Sequence, residues 1–301
     1  MTRIRFGASL QTTTPYDDRL VCAIVGPPAQ ETTVALASRI AAALRLRLAL
    51  VDIRAPLAPM ASPAAAGMPP VLAPAPALPA ELADSENVTP PTDLIGLASR
   101  VGVDPAEVES LVGDPADKLA ELSASPATAM LVVADSGRGA AWAWFTQEPE
   151  RAALADISCP ILLVTTSVRA PWKIVAGVRD DEVAPRVTAF AAKLAQALDA
   201  PIELLHATSE PPFEPAEYPF LQDCARLVPR DLAVRLTVGP EPATALVAGV
   251  IENDPGAIVV LGQPDRGTLA SAIWGSVVHG ILSARSAPVV VIPRGTARAS
   301  A

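Results

Sequence analysis

Short apolar runs without polar alternation recur along the chain: Val21-Cys22-Ala23-Ile24-Val25, Met130-Leu131-Val132-Val133, Ile161-Leu162-Leu163-Val164, Val259-Val260-Leu261 and Val289-Val290-Val291-Ile292. A strand with one wet face alternates; a strand covered on both faces does not, and such strands belong to parallel sheets sandwiched between helices. The stretches between them supply the helices. From Glu31 to Leu46 the residues Val34, Ala37, Ile40, Ala41 and Leu44 recur at helical spacing, and Leu48 to Ile53 returns to strand. A strand, helix, strand unit of this kind makes a parallel crossover, which constrains the chain to an α/β fold.

The same pattern predicts a short helix over Thr92–Val101 capped by Thr92 or Asp93, a strand over Val108–Val112 and a helix over Ala116–Ser123. Beyond Ser167–Pro171 the order starts again: strand Lys173–Val178, helix Ala184–Leu198, strand Ile202–Leu205, helix about Phe220–Val228, strand Val234–Val238, helix Pro242–Glu252, strand Ala257–Leu261. Ala134 and Gly262, Arg138 and Arg266, Gly139 and Gly267, Pro160 and Pro288 stand at one constant separation. Upstream, Leu50-Val51-Asp52 aligns with Leu204-Leu205-His206, and Ala23-Ile24-Val25 with Ala176-Gly177-Val178. The expectation is therefore two tandem doubly wound parallel-sheet domains of Rossmann-like type. Their predicted extents are 19–168, with an Ala/Pro-rich insert at 55–91, and 169–295; residues 1–18 and 296–301 read as tails. The insert reads as an extended loop, with a partner-docking segment as its alternative.

Chemistry concentrates in Ile258–Pro293. Gly262-Gln263-Pro264-Asp265-Arg266-Gly267 follows an apolar strand, and Gly275-Ser276 opens a helical pattern of Val277, Val278, Ile281 and Leu282. Glycines let a ligand approach backbone closely, and a Ser-capped helix start offers unpaired N–H groups to an anion. The plainer reading is that the glycines serve tight turns and Ser276 only caps.

A net charge of −9 and the lack of a Lys/Arg cluster exclude a nucleic-acid backbone as partner. Cys22, Cys159 and Cys224 lack paired spacing, so neither a disulfide framework nor a zinc site is expected. Met1–Asp18 has no apolar run for a secretory leader, and the prolines of Ala55–Ala80 exclude a membrane span, so a cytoplasmic protein is expected. The histidines are His206 and His279; a Ser276/His279 pair would share a helical face, yet no third group orients it, so no catalytic residue is predicted. Asp180-Asp181-Glu182 reads as a solvated turn, with a Mg²⁺ contact beside a nucleotide as its alternative.

Gly262, Gly267, Gly275-Ser276-Val277, and Pro288 before Val289–Ile292 together resemble the C-terminal signature of the universal stress protein family. The resemblance covers both halves as a tandem member and implies a stress-response regulator binding ATP, with Mg²⁺, in the second half, and at most slow incidental hydrolysis. It implies a site of Arg179 (where the family has an Asp), Ala207, Gly262, Gly267, Gly275, Ser276 and Val277. Asp265 replaces the motif's middle glycine. In the first half Val25 stands at the Asp position, Ala134 replaces the first glycine and Gln147-Glu148 replace Gly-Ser, so that half is expected to be a structural partner without nucleotide. Its Trp142, Trp144 and Phe145 read as core or interface anchors. The resemblance further implies that Ile161–Val164 and Val289–Ile292 pair edge to edge in an intramolecular pseudo-dimer, with a homodimer left open. A nucleotide-free interaction protein of the same fold is the alternative.

Overall fold

The computed structural model describes residues 18–25, 31–54, 93–134, 158–164, 172–211, 213–252, 254, 256–263, 281 and 287–294. In the first half these form β1 (Arg19–Val25), α1 (Glu31–Leu44), β2 (Arg47–Arg54), α2 (Leu94–Arg100), β3 (Glu107–Val112), α3 (Pro115–Ala124), β4 (Thr128–Ala134) and β5 (Ile161–Val164). The second half repeats the order as β6 (Lys173–Gly177), α4 (Ala184–Leu198), β7 (Ile202–Thr208), α5 (Pro219–Arg226), β8 (Val234–Pro240), α6 (Ala243–Glu252), β9 (Ala257–Gly262) and β10 (Val289–Ile292). A 3₁₀ turn, Pro215–Glu217, precedes α5. The cap of α2 is Asp93, whose side chain accepts from the Gly96 amide at 2.8 Å.

All ten strands join one sheet in the order β3-β2-β1-β4-β5-β10-β9-β6-β7-β8. Each half runs third, second, first, fourth, fifth and is parallel throughout; the halves meet where β5 and β10 pair antiparallel. The edge-to-edge pairing expected of these two strands is therefore present. At the seam Leu162 faces Val290. These two are also one another's equivalents in the repeat, so a local two-fold relates the halves at this pair, and neither strand is left as an open edge.

The ladder registers refine the internal alignment. Ala23 pairs with Val133 and Gly177 with Leu261, so Ala23 answers to Gly177 rather than to Ala176. With that shift of one residue, Val25 answers to Arg179 and Asp52 to His206 at a single separation.

The uniform strands are covered on both sides, as their lack of alternation required. Leu50, Val132, Leu162, Ile174, Leu204, Ile258 and Val290 belong to a core under α1 and α4 that runs unbroken through both halves. Val51, Leu131, Ile161, Val175, Val259 and Val289 point the other way, with Leu119 of α3 and Val247 of α6. Helix α4 carries the periodicity that builds the first layer, burying Val187, Ala191, Leu194 and Ala195, and ends at Asp199 in the left-handed region with φ 50°. α1 packs against α4 across the seam.

Charges cluster at the amino ends of the strands. Arg19 meets Glu107 at 2.6 Å in the first half, and Lys173 meets Glu203 at 2.8 Å in the second, with Thr237 donating to Glu203 at 2.5 Å. Burial by itself would raise the Glu203 carboxyl; the hydrogen bonds from Lys173 and Thr237 and the charges of Lys173 and Arg235 outweigh it and hold it below the usual carboxylate range. The insert at 55–91 and Trp142, Trp144 and Phe145 lie outside the described residues.

Candidate functional site

In a doubly wound sheet a crevice opens at the carboxyl ends of the strands where the chain order reverses. In the second half that point lies between β6 and β9, because β6 leads outward to β7 on one side and is flanked by β9 on the other. A cleft sits there, lined by Gly177, Arg179, Asp181, Val183, Ala184, Val187, Gly262 and Gln263. Its floor is apolar, from Val183 and Val187 of the α4 entry, and its rim is polar.

Two of the predicted site residues, Arg179 and Gly262, come together in this cleft. Gly262 is glycine for a packing reason: a Cβ there would stand 2.8 Å from Val183 Cγ1 and 3.2 Å from Val187 Cγ2. Ala207 pairs with Gly239 at the end of β7 and is not among the residues lining the cleft. Gly267, Gly275, Ser276 and Val277, with Asp265 and His279, lie outside the described residues.

The Arg179 guanidinium is held by Asp181, its Nε and Nη2 donating to Oδ2 at 3.2 and 3.0 Å. The other carboxylate oxygen accepts from the backbone amides of Val183 and Ala184, both at 3.0 Å. One side chain thus satisfies both groups that would attract an anion to the cleft, the arginine and the start of α4. Sequence reading treated Asp180-Asp181-Glu182 as one acidic turn and missed this division of labour. An Asp placed a few residues before a helical pattern was the available signal. No group of acidic, His or Cys side chains able to hold a metal ion occurs among the described residues.

Behind the rim, Gln263 and Arg294 tie the ends of β9 and β10 together. The Gln263 amide donates to Ile292 O at 2.8 Å, the Arg294 amide donates to Gln263 Oε1 at 3.1 Å, and Arg294 Nε donates to Gln263 O at 3.0 Å. Arg186 of α4 donates to Arg294 O at 2.7 Å.

His206 lies within β7 on the α4 side, and its Nδ1 lies 3.1 Å from Val178 O. A carbonyl only accepts, so this contact places the proton on Nδ1. Tyr218 and Phe220 pack on the ring at centroid distances of 5.0 and 4.9 Å. The ring is a buried bridge between strand and helix.

Beside Gly262 the cleft is filled by Val183 and Val187, and its polar side chains are Arg179, Asp181 and Gln263. A phosphate at Arg179 would compete with Asp181.

Residues 172–293 match the family model described as the Universal stress protein family. Among solved structures, a universal stress protein from Archaeoglobus fulgidus DSM 4304 is 11% identical, with 93% of this chain and 98% of that chain covered and a TM-score of 0.61. A functionally unknown protein from Pseudomonas aeruginosa PAO1 is 17% identical over 92% of each chain, with a TM-score of 0.56. At such identities the likeness shows a shared fold. No curated protein matches the sequence.

Proposed function

From the premise that residues 172–293 are a universal stress protein domain, we propose that the chain is a stress-response regulator whose second half binds an adenine nucleotide. The observation that carries this reading is the cleft at the switch point between β6 and β9, where Arg179, Gly262 and Gln263 converge. Gly262 and Gln263 also begin the segment leading to Gly267, Gly275, Ser276 and Val277, which would supply the phosphate contacts, with Mg²⁺ carried by the nucleotide. The two halves, 19–168 and 169–295, act in this reading as an intramolecular pseudo-dimer. The first half is its structural member, since Val25 and Ala134 stand where Arg179 and Gly262 do. The protein turns over no substrate in this reading beyond incidental ATP hydrolysis. A cytoplasmic setting accords with three buried cysteines that form no disulfide.

The test is calorimetric titration of nucleotide-stripped protein with ATP and Mg²⁺, beside a Gly275→Val/Ser276→Ala variant. Binding of one nucleotide per chain, lost in the variant, is expected. No heat and no thermal shift at millimolar ATP would favour the second reading, a nucleotide-free interaction protein. The Arg179–Asp181 pair is the specific observation on that side.

A further inference from the structure

β3 and β8 are the two outer edges of the sheet. Register sets Val108, Ser110 and Val112 beside Leu50, Asp52 and Arg54, and Leu236, Val238 and Pro240 beside Leu204, His206 and Thr208. Asp52 and His206 are equivalents, so Val108 answers to Leu236, Ser110 to Val238 and Val112 to Pro240, all on the side of the sheet that carries α1 and α4. The two edges are finished differently. The 3₁₀ turn at Pro215–Glu217 and α5 both touch β8, where Val238 is 9% exposed and Leu236 packs on the core. On β3, Val108 is 44% exposed, Val112 is 46% exposed, and Glu109 and Ser110 are exposed as well.

The backbone sharpens the contrast. The Gly113 amide donates to Arg54 O, so the odd-numbered residues of β3 bond inward to β2, while Val108, Ser110 and Val112 turn their N–H and C=O groups outward. The Glu241 amide donates to Thr208 O in the same phase, which puts Pro240, without an N–H, where β3 has Val112. A proline at an outward position blunts the edge of β8; β3 keeps its outward donors.

We propose that β3 pairs antiparallel with β3 of a second copy of this chain, about a two-fold axis at Ser110. The register follows from the chemistry of the strand. Residues directly opposite share a face of the sheet, and the outward-turned ones must meet one another. Centred on Ser110, Val108 meets the partner's Val112 and Ser110 meets the partner's Ser110, each pair exchanging both backbone bonds. On the other face Glu109 meets the partner's Leu111, and Glu107 meets the partner's Gly113. The Lys118 side chain lies beside Gly113, where a Cβ would stand 2.9 Å from its Cε, so each copy brings an ammonium group toward the acidic pair of the other. Other registers are worse. A centre at Glu109 sets that carboxylate against its own copy, and a centre at Leu111 sets Val108 against the partner's Asp114. The chain already uses such a pairing once, at β5 and β10, where equivalent strands meet antiparallel about a local two-fold. This inference is independent of nucleotide binding.

Sedimentation of the full chain from about 1 µM to about 1 mM is expected to show the mass rising from one chain to two. Val108→Lys puts an ammonium on the apolar strip, and Val112→Pro gives β3 the proline that β8 already carries; both variants are expected to stay single chains throughout. A Ser110→Cys variant reads the register. Opposed residues of a bonded antiparallel pair lie about 5.5 Å apart, within reach of a disulfide. The native thiols are buried, and burial pushes Cys22 up to about 12 and raises Cys224, so the new thiol is the reactive one among the described residues. Under mild oxidation Ser110→Cys is expected to form a covalent dimer about tenfold faster than Val108→Cys, which faces the partner's Val112. A single chain at every concentration overturns the proposal, as does equal cross-linking of the two cysteine variants or a dimer that survives Val108→Lys. Mass growing beyond two copies also overturns it and assigns β3 to the β8 edge of the next copy in an open chain. Should Val112→Pro fail to fold, Val108→Lys and the cysteine variants decide.

Discussion

Gly262 and Asp181 show how single residues at the cleft serve the fold and the proposed site together. Gly262→Ala would force its new methyl against Val183 and Val187, and overpacking of this kind costs about 1–3 kcal/mol. Urea denaturation should show that loss, and a second change, Val183→Ala, should recover part of it. Asp181→Ala removes a helix cap and the partner of Arg179, so stability should fall by about 1 kcal/mol while affinity for ATP rises. Calorimetry reads both; weaker ATP binding in this variant would mean that Asp181 supports the ligand rather than competing with it. Glu203 makes a pH prediction. Its folded carboxyl is held below the usual range, so its contribution is present above the unfolded value and is lost as pH falls through the folded one. Denaturation midpoints should therefore fall on acidification through and below the ordinary carboxylate range, and Glu203→Gln should flatten that fall.

The element that decides the architecture is the antiparallel pair of β5 and β10. Both strands are short, and Leu162 and Val290 are fully buried where they face each other. Leu162→Ala should cost about 2–5 kcal/mol, as for other large-to-small changes in a packed core. This pairing was expected from the family resemblance, both strands being apolar enough to pair and to remove an exposed edge. Helix α4 was legible to its ends, with Pro185 in the first turn and a break at Asp199. The Asp181 cap was not, because capping depends on where one carboxylate points once Arg179 is beside it. The remaining motif residues, from Gly267 to Val277, lie outside the described residues, so the sequence alone speaks for them.

At the scale of the molecule, one core layer passes without interruption through both halves, and α1 packs on α4 across the seam. Denaturation followed by fluorescence and by circular dichroism should give one coincident transition, not one for each half. A segment of residues 172–294 made alone would expose β10 as an edge. Since β10 here pairs antiparallel with its own equivalent about a local two-fold, the isolated segment should dimerise through β10, which sedimentation would detect as a concentration-dependent mass. A monomer at all concentrations would show that the edge is protected by other means.

The sequence by itself determined the class of fold, the duplication and the expectation that the second half carries the ligand chemistry. Apolar runs without alternation, helical spacing between them and a constant offset between matched residues are local signals, and each survives reading one residue at a time. Only the tertiary structure decided that Ala23 answers to Gly177 and that Asp181 occupies both Arg179 and the start of α4. It alone showed that Gly262 is small for the sake of Val183, and that β3 is bare where β8 is covered. Each of these depends on distances between residues remote in the chain or on where a side chain turns, and neither is encoded in periodicity.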